Sequence, residues 1–102
     1  GKTLSTGTTL ENNDDGSYQL NIRGIANFMS ILAIDSRLAS IPAGQDVTIN
    51  LADSQLIDVT VMEALLDFQR LHGNSGGIVK IIGLENHKSS THEHGLHVAK
   101  NT

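Results

Sequence analysis

Two groups of side chains in this sequence have the types and spacing for chemistry. The first is the run Asp53–Thr60, which leads into an amphipathic segment. A helix that starts there presents unpaired backbone N–H groups, and these attract an anion or an acceptor on a partner. Asp53, Ser54, Asp58 and Thr60 are the residues such a contact would use. The same residues also suit a purely structural task. Asp58 is a favoured helix cap, and Thr60 with Glu63 has capping-box spacing, worth about 1 kcal/mol. Asp53 and Asp58 also place two carboxylates on the path of an approaching anion. The residues alone leave partner contact and capping both open.

The second group is His87, His92, His94 and His97, four imidazoles within eleven residues. Such a set could hold zinc or copper, and on one helix His94 and His97 would share a face. No Cys accompanies them, Glu93 is the only carboxylate among the last three, and Gly95 interrupts the helix. The spacing fits no ordinary zinc pattern. A solvated, pH-sensitive segment is the favoured reading, with no metal site expected and zinc bound no better than by unorganised imidazoles.

Catalysis finds no foothold. There is no G-x-S-x-G, and no G-x-G-x-x-G or Walker loop follows a strand. Gly73–Gly77 lies between a helix and a strand, the wrong order for a phosphate loop. Neither catalytic residues nor a cofactor is expected. A net charge of −4 with seven scattered basic residues excludes a nucleic-acid surface, which needs clustered cations. Zero Cys removes disulfides and thiol catalysis and fits a reducing compartment. No window approaches the roughly 20 apolar residues of a membrane span. The richest, 26–34, is broken by Asn27 and Ser30. Without a Met or a signal peptide at its start, the chain reads as a piece of a longer protein.

The elements that must position these residues follow from periodicity. The chain length predicts one domain over 1–102, with a core over about 8–99 and a His-rich tail over 85–102. Thr8–Leu10 reads as an edge strand and Asn13–Gly16 as a turn. Tyr18, Leu20 and Ile22 alternate on one face of a strand that Gly24 ends. Asn27 caps a helix to about Ser40, with Phe28, Ile31, Ile34, Leu38 and Ile41 as its apolar stripe. Val47, Ile49 and Leu51 alternate against Thr48 and Asn50, so one face of the sheet should carry the helices. Asp53–Thr60 is read as a loop and 59–71 as the second helix. That helix should turn Val61, Met62, Leu65, Leu66 and Phe68 inward and Glu63, Asp67 and Arg70 outward. Ile78–Ile82 reads as a strand parallel to the Val47 strand, and 90–99 as a further helix.

The segment 45–84 resembles the STAS domain, the fold shared by anti-sigma-factor antagonists and the cytoplasmic ends of SulP anion transporters. The matching features run in order: strand Val47–Leu51, a short turn, Ile57-Asp58, a helix carrying Ala64-Leu65-Leu66, a glycine break, then Ile78–Leu84. Upstream, Tyr18–Ile22, Phe28 and Pro42–Gly44 fall where the family has its strand, first helix and turn. The likeness covers about 17–85.

The resemblance implies an α/β, STAS-like fold with a mixed four- to five-stranded sheet and helices mainly on one face. Antagonists of the family carry Asp-Ser-Ser-Gly at the helix start, and a kinase phosphorylates the Ser after the Asp. This chain has Asp58-Val59-Thr60-Val61, and Val59 offers no hydroxyl. The departure points to the transporter branch, as does the His-rich stretch after Gly83-Leu84. The resemblance therefore implies a non-catalytic regulatory domain at the cytoplasmic face of a bacterial inner membrane. Its partners would be the transmembrane domain of its parent and a cytoplasmic protein. Asp53, Ser54, Asp58 and Thr60 would form a regulatory loop, and Glu63, Asp67 and Arg70 a docking face. A free-standing regulator and a nucleotide-binding sensor are the alternatives, the latter without a phosphate loop to support it.

Overall fold

A computed structural model describes residues 7–89 and 97–100 of the 102. β1 (Thr8–Asn12) and β2 (Tyr18–Ile22) form the expected hairpin. Its turn closes through Asn13 N–H to the Ser17 carbonyl at 2.8 Å and Gly16 N–H to the Asn13 carbonyl at 3.0 Å. Asp15 accepts from the Ser17 hydroxyl at 2.6 Å and from its N–H at 2.9 Å. Those bonds, the hydroxyl first, hold its carboxyl below the usual carboxylate range.

β3 (Gly24–Ala26) is followed by a short 3-10 turn (Phe28–Ser30) that continues into α1 (Ile31–Ala39). β4 (Val47–Asn50), β5 (Ser54–Asp58), α2 (Val59–Asn74) and β6 (Val79–Ile82) complete the segment with the richest sequence signal. β7 (His87–Ser89) and β8 (His97–Lys100) come last.

The first sheet has the order β1-β2-β4-β6. It is mixed: β1 runs antiparallel to β2, while β2-β4 and β4-β6 are parallel. Val47 stands opposite Val79, so the expected parallel pairing of these strands is present. On one face Leu20, Ile22, Val47, Ile49 and Val79 are buried with Ile34 and Leu38 of α1 and Val61 and Leu65 of α2. Both helices therefore cover the same face. The opposite face is polar on β2 and β4. There Asn50 Nδ2 donates to Asn21 Oδ1 at 3.2 Å and Gln19 Nε2 to the same oxygen at 2.9 Å.

Gly83 fixes how the first sheet ends. Its φ is +94°, and a Cβ at this position would overlap the Ala52 nitrogen. Only glycine serves there.

Several expectations need correction. A second sheet, β3-β5-β8-β7, was not foreseen. Asp53–Thr60 is not a loop: 54–58 is strand β5, parallel to β3 and antiparallel to β8. Strand pairing on both sides overrides a local sequence without clean alternation. The helix expected over 90–99 gives way to strand β8 at 97–100, while residues 90–96 lie outside the described ones. α2 runs on to Asn74, past Gly73, and closes at Ser75, whose hydroxyl donates to the His72 carbonyl at 2.7 Å. Phe28 and Leu66, both assigned to inward stripes, are exposed. Phe28 belongs to the 3-10 turn, whose tighter pitch breaks the 3.6-residue register of α1.

Candidate functional site

β5 passes straight into α2 with no intervening loop. What holds this junction is backbone and core. The Gly24 N–H donates to the Asp53 carbonyl at 3.1 Å, and the Ser54 N–H donates to the Leu51 carbonyl at 3.1 Å. The Ser54 hydroxyl donates to the Ile22 carbonyl at 3.0 Å, and both Ser54 and Ile57 are fully buried. Ser54 therefore cannot be the accessible loop residue that the sequence suggested. It ties β5 to β2. Asp53 remains exposed in the turn before β5.

Asp58 occupies the cap position of α2 with extended backbone, φ −67° and ψ 153°, yet its side chain makes no capping hydrogen bond. The capping box expected of Thr60 and Glu63 does not form either. Thr60 is already the second helical residue, and it is exposed. The half-buried Asp58 carboxylate thus sits unspent beside the partial positive charge of the first turn of α2. Across the sheet, the Asp58 backbone pairs with that of His97.

Further along α2, Glu63, Asp67 and Arg70 lie on the solvent face as expected. Arg70 Nη2 meets Asp67 Oδ1 at 3.2 Å, with the two side chains 65% and 67% exposed. So open a pair adds no more than about 1 kcal/mol and leaves both groups able to rearrange for a partner. Beside them a groove of about 490 Å³ runs between α1 and α2. Leu38, Ile41 and Phe68 line its base, and Asp35, Asp67 and Leu71 its open margins.

Two features escaped the sequence reading. Phe28, Met29 and Leu32 are 67%, 74% and 82% exposed, an apolar strip at the start of the first helix. The large apolar residues on both sides of Ser30, more than one buried helix stripe can absorb, were the available signal. His72 is the other. It is buried, its ring stacks on Phe68 with centroids 4.8 Å apart, and its Nε2 lies 2.6 Å from the Gln45 carbonyl. A carbonyl only accepts, so Nε2 carries the proton. A Cβ on Gly77 would come within 2.5 Å of both that nitrogen and that carbonyl oxygen. His72 thus pins the end of α2 to the start of β4.

The His-rich tail is only partly placed. His87 and His97 lie on the neighbouring antiparallel strands β7 and β8, while His92 and His94 fall outside the described residues. Among the described residues no three His, Cys, Asp or Glu side chains are grouped to hold a metal ion, and no helix is long and apolar enough to cross a membrane.

No protein-family model matches the sequence, and no curated protein does so either. The fold has a solved counterpart. It is similar to the crystal structure of an antisigma-factor antagonist, STAS domain, from Rhodobacter sphaeroides, with a TM-score of 0.60 and 20% sequence identity. The likeness covers 78% of this chain and 87% of that one. At this level of identity what the two chains share is the fold: this chain is folded as a STAS domain is.

Proposed function

We propose that residues 1–102 form one STAS domain, the non-catalytic cytoplasmic regulatory part of a bacterial SulP-type sulfate or anion transporter. On this reading the domain works at the inner face of the inner membrane and transmits contacts to the transmembrane part of its parent. The observation that carries it is the STAS-type fold together with Val59. Where antagonists of this fold need a phosphorylatable hydroxyl after the Asp, this chain offers an isopropyl group, so the partner surface has to work by shape and charge. Asp53, Asp58 and Thr60 would form the edge of that surface and Glu63, Asp67 and Arg70 its body, all solvent-accessible except the half-buried Asp58. Ser54 supports it from within.

One observation favours a second reading. The solved counterpart is itself an antisigma-factor antagonist. A free-standing regulator that binds its protein partner without phosphorylation would use the same face.

The parent reading frame and anion uptake separate the two. A transporter carries many apolar spans in the same frame, and Glu63→Lys and Asp67→Lys in the full-length parent should reduce uptake. Exposed substitutions of this kind shift stability by only about 0.5 kcal/mol, so the domain stays folded. Normal uptake with both reversals in place reduces this face to a solvated one, and a frame without such spans removes the transporter reading.

A further inference from the structure

We propose that the α1–α2 groove seats a cationic amphipathic helix from a protein partner. The inference deepens the protein-interaction reading and rests on it. An apolar trough between two helices suits a third helix, which lays side chains at positions i, i+3, i+4 and i+7 along the base. Leu38, Ile41 and Phe68 supply that base, and Leu71 extends it into solvent.

The charge of the margins selects the occupant. Asp35 lines the groove from α1 and Asp67 from α2. Glu63 lies one turn before Asp67, and such residues are neighbours on a helix surface. Among the described residues the one ion pair is Arg70 with Asp67, so Asp35 keeps uncompensated negative charge beside the apolar base and Glu63, outside the lining, keeps it further along α2. A net charge of −4 gives the whole chain a field of the same sign. An acidic helix would meet like charge on both margins, and a neutral one would forgo the attraction. A helix with Leu on one face and Lys or Arg along its flanks satisfies both the base and the margins.

The probe is a labelled Leu/Lys helical peptide of about 18 residues, or five turns. Its counterpart carries the same apolar face with Glu in place of Lys. Fluorescence anisotropy against the 102-residue chain at about 0.15 M salt should show the Lys peptide binding at least about tenfold more tightly. Asp35→Lys should weaken it by about tenfold, and Leu71→Ser should abolish measurable binding. Glu11→Lys makes the same change in net charge on the sheet face opposite the helices, where Glu11 stands across from Gln19, and should leave affinity within about twofold. Equal binding of the two peptides, equal effects of Glu11→Lys and Asp35→Lys, or no binding at all overturns the proposal. The assay uses no transporter activity, so its failure is distinct from a failure of the parent reading. Impaired uptake in Glu63→Lys alongside a silent peptide assay rejects the groove while keeping the face.

Discussion

The two helices begin in opposite ways. Ahead of α1, Asn27 closes a reciprocal box. Its Oδ1 accepts from the Met29 N–H at 2.9 Å, and the Ser30 hydroxyl accepts from the Asn27 N–H at 3.3 Å. α2 starts at Asp58 with no such bond, although Asp is as good a cap as Asn. What replaces the cap is the strand before it. β5 is paired on both sides, buries Ser54 and Ile57, and delivers the chain to the first turn with its direction already set. A helix start can be held by its own side chains or by the sheet that feeds it. In the second case the cap side chain is left over for other contacts.

That contrast can be tested by substitutions ranked from the largest expected effect. Leu65→Ala empties a fully buried position on α2 and should cost about 2–5 kcal/mol in urea unfolding, because the inner face, not the cap, holds this helix. Ser54→Ala leaves the Ile22 carbonyl without the hydroxyl it accepts from and should cost about 1–3 kcal/mol. Hydrogen exchange should speed up at the start of α2 in this variant. Asn27→Ala breaks the box and should lose about 1 kcal/mol, with faster exchange confined to the first turn of the first helix. Asp58→Ala should lose only the attraction of a carboxylate to the helix dipole, about 0.5 kcal/mol. If Asp58→Ala proves as costly as Asn27→Ala in the same melts, the two starts are alike after all and the spare carboxylate is an ordinary cap.

The sequence made the first sheet legible and the second one not. Tyr18–Ile22 and Val47–Leu51 alternate because one face is buried and the other wet, so period two survives in the residue types. The Asn27 box is likewise local, spanning four residues. β5 has no such mark. Ser54 reads as polar and therefore exposed, yet its hydroxyl is satisfied by a carbonyl 32 residues away, a pairing no local pattern encodes. Leu66 failed for a different reason. It is apolar and lies beside a true core position, Leu65, but helical rotation carries it to the surface. Of the site, the polar arc of α2 was readable from spacing alone. The groove was not, because it depends on how α1 and α2 meet.

The amide of Gln69 reaches from α2 to the Val79 carbonyl at 2.9 Å. β6 forms one border of the first sheet, and along it carbonyls alternate between β4, which takes those of Ile78 and Ile82, and the outside. Gln69 therefore occupies an outward acceptor that an incoming strand would need. Exposed Ile78 and Ile82 make this border attractive to other chains, and Lys80 between them is the one charge that discourages stacking. The helix side chain and the lysine together act as a stopper against fibre growth. A Gln69→Leu chain, folded as before, would be the one to watch for turbidity on concentration.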